Sequence, residues 1–225
     1  MFYLCVDMYS AYVLVLSVGS LLAQAIPWYG LRAGINWGQY LTKDQTEIRS
    51  RAYWGGGFTG AIAAQVPLDE AKRWALQGEL GTTQRRGTDR NLLYDYRYNL
   101  WSLDFTALGV WRWNRKFEVF FLETGPLSSV LVYGKYWQKD NLTNEQQIRR
   151  VQYGRGGNRD LRRGEIAWSL GASAAYLVGP GYLTLGLRFW HGMNNLGAGL
   201  FQRWHNYGLM MNLIYWYDDS LRGED

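Results

Sequence analysis

Between residues 28 and 217 the sequence repeats one unit: a stretch in which apolar and polar side chains alternate, then a turn or loop. Alternation puts every second side chain on one side of an extended chain, so each stretch reads as a strand with two unlike faces. Eight such runs occur, at 28–38, 53–68, 74–84, 98–113, 117–133, 165–178, 182–191 and 206–217. In the first, Tyr29, Leu31, Ala33, Ile35 and Trp37 oppose Gly30, Arg32, Gly34 and Asn36. Eight is the smallest even strand number of bacterial membrane barrels. The expected fold is therefore all-β, an eight-stranded antiparallel up-and-down transmembrane β-barrel.

The connections support that topology. Segments 69–73, 114–116 and 179–181 are short, whereas 39–52, 85–97, 134–164 and 192–205 are long. Short periplasmic turns alternating with longer outer loops are the asymmetry of an outer-membrane barrel, which places both termini in the periplasm. A soluble barrel of the lipocalin type shows the same alternation with its apolar face inside. Side-chain size separates the two. The polar face is crowded with Gly and Ala, as a narrow interior requires. The apolar face carries Trp37, Trp54, Trp74, Trp101, Trp111, Trp113, Tyr215 and Tyr217 near strand ends, which matches the aromatic girdles of membrane barrels. Hydrophobic residues make up 48% of the chain, yet mean hydropathy is only −0.29, which excludes a helical membrane protein.

The one long apolar stretch is YVLVLSVGSLLAQA at 12–25, closing on Ala23-Gln24-Ala25. It reads as the core of a signal peptide, 1–25, cleaved before Ile26, although these residues contain no Lys or Arg. A buried or spanning helix is the alternative. Cleavage removes Cys5, the only cysteine, and Asp7, so the formal charge rises from +5 to +6 with no thiol left for metal or redox chemistry. The barrel then occupies 26–217, and 218–225 form a C-terminal tail.

Six charged residues fall on inward faces: Arg32, Glu79, Asp104, Arg112, Glu123 and Arg188. Unpaired charges in a barrel interior are costly, so these are expected to pair into a packed ionic plug. A proton or ion path is the alternative reading. Other arginines gather in the expected outer loops: Arg49 and Arg51, then Arg85, Arg86, Arg90 and Arg97, then Arg149, Arg150, Arg155, Arg159, Arg162 and Arg163. Guanidinium groups suit phosphate, which makes lipopolysaccharide an expected partner beside membrane lipid; ordinary solvated loops are the alternative reading. With Tyr136, Trp137 and Tyr153, loop 134–164 has the arginine-and-aromatic composition of binding hot spots and is the expected outer recognition surface; a disordered tip shielding the barrel mouth, favoured by Gly154, Gly156, Gly157 and Asn158, is the alternative.

Catalysis has little to stand on. His191 lies where a lipid A modifying barrel would place its histidine, but Met193 occupies the position of the serine, so no nucleophile is there to activate. Gly55-Gly56-Gly57 opens no helix and reads as a place of close backbone approach. Arginines interleaved with aromatics bring no recognition helix, so nucleic acid is not expected, nor is a cofactor.

GLRAGINWG at 30–38, LQGELGTTQRRG at 76–87, SLDFTALGVWRW at 102–113, FFLETGPLSSVLV at 120–132 and LGLRFWHGMNNL at 185–196 occur in an order and spacing that resemble the porin-like outer-membrane β-barrel family abundant in Bacteroidetes. That group includes the PorT component of type IX secretion. The chain departs from it in running on past the last strand, so Tyr215 or Tyr217 would serve as an internal assembly signal. The resemblance implies a non-enzymatic barrel that anchors or helps assemble an envelope complex with a protein partner. A narrow passive porin-type channel is the second reading.

Overall fold

The computed structural model describes residues 28–43, 51–90, 93–115, 118–154, 161–196 and 203–217. The expected signal segment and tail lie outside them, as do Arg49, Arg155 and Arg159. Nine strands form in the described residues: β1 (Trp28–Lys43), β2 (Arg51–Pro67), β3 (Trp74–Arg90), β4 (Tyr94–Arg115), β5 (Glu118–Asp140), β6 (Gln146–Arg150), β7 (Gly164–Val178), β8 (Gly181–Gly192) and β9 (Arg203–Tyr217). Eight close into an antiparallel ring, with β1 joined to both β2 and β9 and β5 to both β4 and β7. β6 stands outside the ring and pairs only with the last stretch of β5, residues 135–139. The fold is the one expected from the alternation.

The strands run further than the alternation implies. Residues 85–90, 94–97 and 134–140, expected as loop, continue the ladder: Arg85 faces Leu100, Thr88 faces Arg97 and Tyr96 faces Gln138. Hydropathy alternates only where one face is apolar, whereas backbone hydrogen bonding continues wherever two strands remain side by side. At the opposite end the connections are tight. Asp69 organises one of them, its carboxylate accepting from the Trp74 amide at 2.7 Å and its carbonyl from Lys72 at 2.9 Å. We call this the turn end and the other, which carries the β5–β6 hairpin, the hairpin end.

Two bulges adjust the ring. One extra residue in β2 between Trp54 and Thr59 lets Gly55 and Gly57 lie against β3, where a Cβ on Gly57 would clash with the Gln84 carbonyl oxygen. The other lies in β5, where Trp101 faces Tyr133 and Ser102 faces Leu131, so Val132 is the extra residue. Beyond it the parity of β5 reverses, and Gly134 and Tyr136 turn inward. The outer wall is apolar, with Leu31 67% and Ile62 59% exposed, while the inward Ser102 and Ser169 are fully buried.

Candidate functional site

The interior is filled in layers. At the turn end it is apolar, with Trp28, Ile214 and Trp216 in one cluster and Leu108, Val110 and Phe121 in another. Arg112 rests on this layer: its guanidinium carbon lies 4.0 Å from the centre of the Trp28 ring and Nη2 donates to Gln65 Oε1 at 2.8 Å. Gln65 donates on to Gln77 at 3.3 Å, and Gln77 to Glu79 at 2.6 Å.

Glu79 is the hub. Arg188 grips it with two parallel bonds, Nη1 to Oε2 at 2.8 Å and Nη2 to Oε1 at 2.9 Å, and turns Nε to Glu123 Oε1 at 2.9 Å. Arg32 approaches the same carboxylate at 3.2 Å. These residues come from β1, β3, β5 and β8, so the cluster ties across the barrel strands that are not neighbours in the ring. Parallel guanidinium–carboxylate forks of this kind are among the stronger hydrogen-bonded pairs.

A second layer lies nearer the hairpin end. Arg85 pairs with Glu165, approaches Asp104 at 3.4 Å and donates to Ser129 at 2.8 Å. Above it Tyr98, Leu100, Leu131, Tyr136, Val151, Leu161 and Leu196 form an apolar cap. Residues 151–154 and 161–163 fold back to complete that cap, anchored by Val151 N to Gly134 O at 3.0 Å and Leu131 N to Arg163 O at 2.8 Å. Gly134 leaves the room for this, since a Cβ there would meet Tyr153 Oη at 2.5 Å and Leu100 Cδ2 at 2.6 Å.

The six expected interior charges all face inward and are buried, but not as one cluster. Arg32, Glu79, Glu123 and Arg188 converge; Arg112 is held by an amide and a ring; Asp104 belongs to the second layer. Two members of that layer are absent from the six expected charges. Arg85 is not an outer-loop residue but an inward one on β3, and Glu165 shares the parity of Ser169 and Gly171. The periodicity held the signal, because Gln77, Glu79, Gly81, Thr83 and Arg85 share one face. Among the described residues the buried charges are four arginines and four carboxylates, so the interior is formally neutral.

The expected recognition loop divides. Tyr136 is buried in the apolar cap, so it is no surface anchor, because the β5 bulge turns it inward. Tyr153 is half-buried against the same cap, 6.0 Å from the Arg163 guanidinium. Arg149, Arg150, Arg162 and Arg163 are exposed, and Trp137 is half-exposed on the outer surface of β5. His191 faces outward on β8, between Trp168 and Tyr207 of its neighbours.

The family model of the outer membrane protein beta-barrel domain matches residues 23–197. The chain belongs to this family. The barrel is also similar in structure to Ail, the attachment invasion locus protein of Yersinia pestis, at 13% identity over 84% of this chain and 98% of that one, with a TM-score of 0.42. Neisserial surface protein A gives 10% identity over 83% and 96%, with a TM-score of 0.43. The N-terminal β-barrel domain of Pseudomonas aeruginosa OprF gives 11% over 81% and 96%, with a TM-score of 0.30. No curated protein matches the chain.

As an outer membrane protein beta-barrel, the molecule turns its apolar wall to lipid. On β4 that wall runs from Trp101 to Trp113. The span is about 40 Å of strand, or about 30 Å along the axis at a tilt of about 40°, close to the ~25 Å apolar band of such barrels. Beyond Trp101 the outward residues are Asn99, Arg97 and Asp95. The hairpin end therefore continues as β-structure past the membrane surface.

Proposed function

We propose that this outer-membrane barrel is a non-enzymatic anchoring or assembly component of an envelope complex that engages a protein partner at its hairpin end. That end faces outward and both chain termini are periplasmic. The observation that carries the reading is the filled interior: Arg188 is 1% exposed and Glu165 1%, so the side chains that would line a channel are packed against one another. What remains for function lies outside the ring. The β5–β6 hairpin is exposed along the whole of β6, with Leu142 and Ile148 bare beside Arg149 and Arg150. Exposed apolar groups ringed by arginine suit a protein contact. The resemblance to the PorT-containing group favours type IX secretion as the setting.

The test is co-purification from detergent-solubilised membranes. The comparison variant replaces residues 141–149 by a short turn and keeps Val151 and Leu161, which pack inside. We expect the intact barrel to retain an envelope protein in fixed ratio and the variant to lose it while still migrating as a heat-modifiable barrel. Equal retention by both, or none by the intact barrel, contradicts the proposal.

A further inference from the structure

Just past the aromatic girdle, β2 to β5 frame a groove of about 670 Å³ on the outer surface. On its β2 side the lining is backbone at Gly55 and Gly56, and across β3, β4 and β5 it carries Arg86, Arg97, Trp137 and Lys139. Arg97 and Trp137 face each other directly across β4 and β5. With the Gln84 amide turned so that its oxygen faces Arg86, that oxygen accepts from Nη2 at 2.9 Å. Asp95, also in the lining, is engaged with Arg90 at 3.5 Å. Arg97 and Lys139 make no ion pair among the described residues. Three cations thus line a cleft in which, among the described residues, the one carboxylate, Asp95, is already paired.

The side chains fit one kind of ligand. Guanidinium groups bind phosphate through paired donors, and an indole face takes the apolar side of a ring whose edge stays wet. The β2 side, without side chains at Gly55 and Gly56, leaves space for that ring. The groove's level adds a constraint: Arg97 lies four residues beyond Trp101, about 10 Å along the axis at the usual tilt. That is just beyond the phospholipid headgroup layer, which adds roughly 5–8 Å to each side of the hydrocarbon, at a level that only a larger, sugar-bearing headgroup reaches. We infer that the groove binds the phosphorylated sugar headgroup of a glycolipid in the leaflet that surrounds it. The inference rests on the outward orientation proposed above.

Purified barrel in detergent is titrated with diphosphoryl lipid A and with the same lipid dephosphorylated, bound lipid being counted by native mass spectrometry. The intact barrel should prefer the diphosphoryl form by roughly tenfold, the scale of one or two charge-assisted hydrogen bonds. Arg97→Gln with Lys139→Gln should remove about tenfold of that affinity, Trp137→Ala about threefold, and Arg149→Gln with Arg150→Gln less than about twofold. Excess glucose 1-phosphate should not displace the lipid. Absence of a phosphate preference, equal loss in the groove and hairpin variants, or full displacement by glucose 1-phosphate overturns the inference. Orientation is read apart, by labelling Thr143→Cys on intact cells with an impermeant maleimide. Failure there removes the outward orientation and the surrounding leaflet with it, whereas lipid titration in detergent reports on the groove alone.

Discussion

Arg188→Ala is expected to destabilise the barrel by about 3–5 kcal/mol, the cost of breaking a buried ion pair from one side. Removing this guanidinium leaves Glu79 with Arg32 at 3.2 Å and strips Glu123 of its bond at 2.9 Å. Glu123 is buried, so its charge cannot be returned to water without opening the wall. Arg188→Leu combined with Glu123→Leu removes both charges and should recover about half of the loss or more, because well-packed apolar pairs replace buried ion pairs at little cost. Denaturant unfolding of the refolded barrel, followed by Trp fluorescence, measures both. A single variant as stable as the parent would mean that the ion cluster does not hold the interior together.

Gly57→Val should be nearly as damaging, at about 3 kcal/mol, for an unrelated reason. A side chain at 57 meets the carbonyl of Gln84, and backbone cannot turn aside as a flexible side chain can. The clash falls at the β2 bulge, so β2 and β3 would separate between Trp54 and Thr59. Gly56→Ala is the control, since a Cβ there finds its nearest atom 3.8 Å away, on the Trp37 ring. The fraction of heat-modifiable barrel after refolding should fall for Gly57→Val and stay unchanged for Gly56→Ala. Equal yields would place the tight approach elsewhere.

The faces of all eight ring strands were legible because alternation reports which side of a strand a residue occupies, and that rule needs no knowledge of neighbours. Partners across the interior were not. Arg188 and Glu79 meet from β8 and β3, and that meeting depends on the stagger of the closed ring. Strand ends at the hairpin end were hidden for a different reason. Outside the lipid the outward face of a strand is polar, so the alternation that marks a lipid-facing strand is lost, and Arg85 and Tyr96 look like loop residues although the ladder runs through them. Tyr136 shows the third failure: one extra residue at Val132 reverses the parity, and no local signal in LSSVLVYG announces it. The short turns carried clearer signals. Asp69 and Gly179-Pro180 mark chain reversals by their own conformational preferences.

The proposed function requires an interior closed by its own charges and a molecule that works through surfaces outside the ring. Single-channel recording in planar bilayers tests it most directly. The intact barrel should give no steady conductance above the bare membrane. Steady openings from the intact protein that vanish when Gly186→Phe narrows the interior further would mean that ions pass through the ring and that the packed charges do not close it.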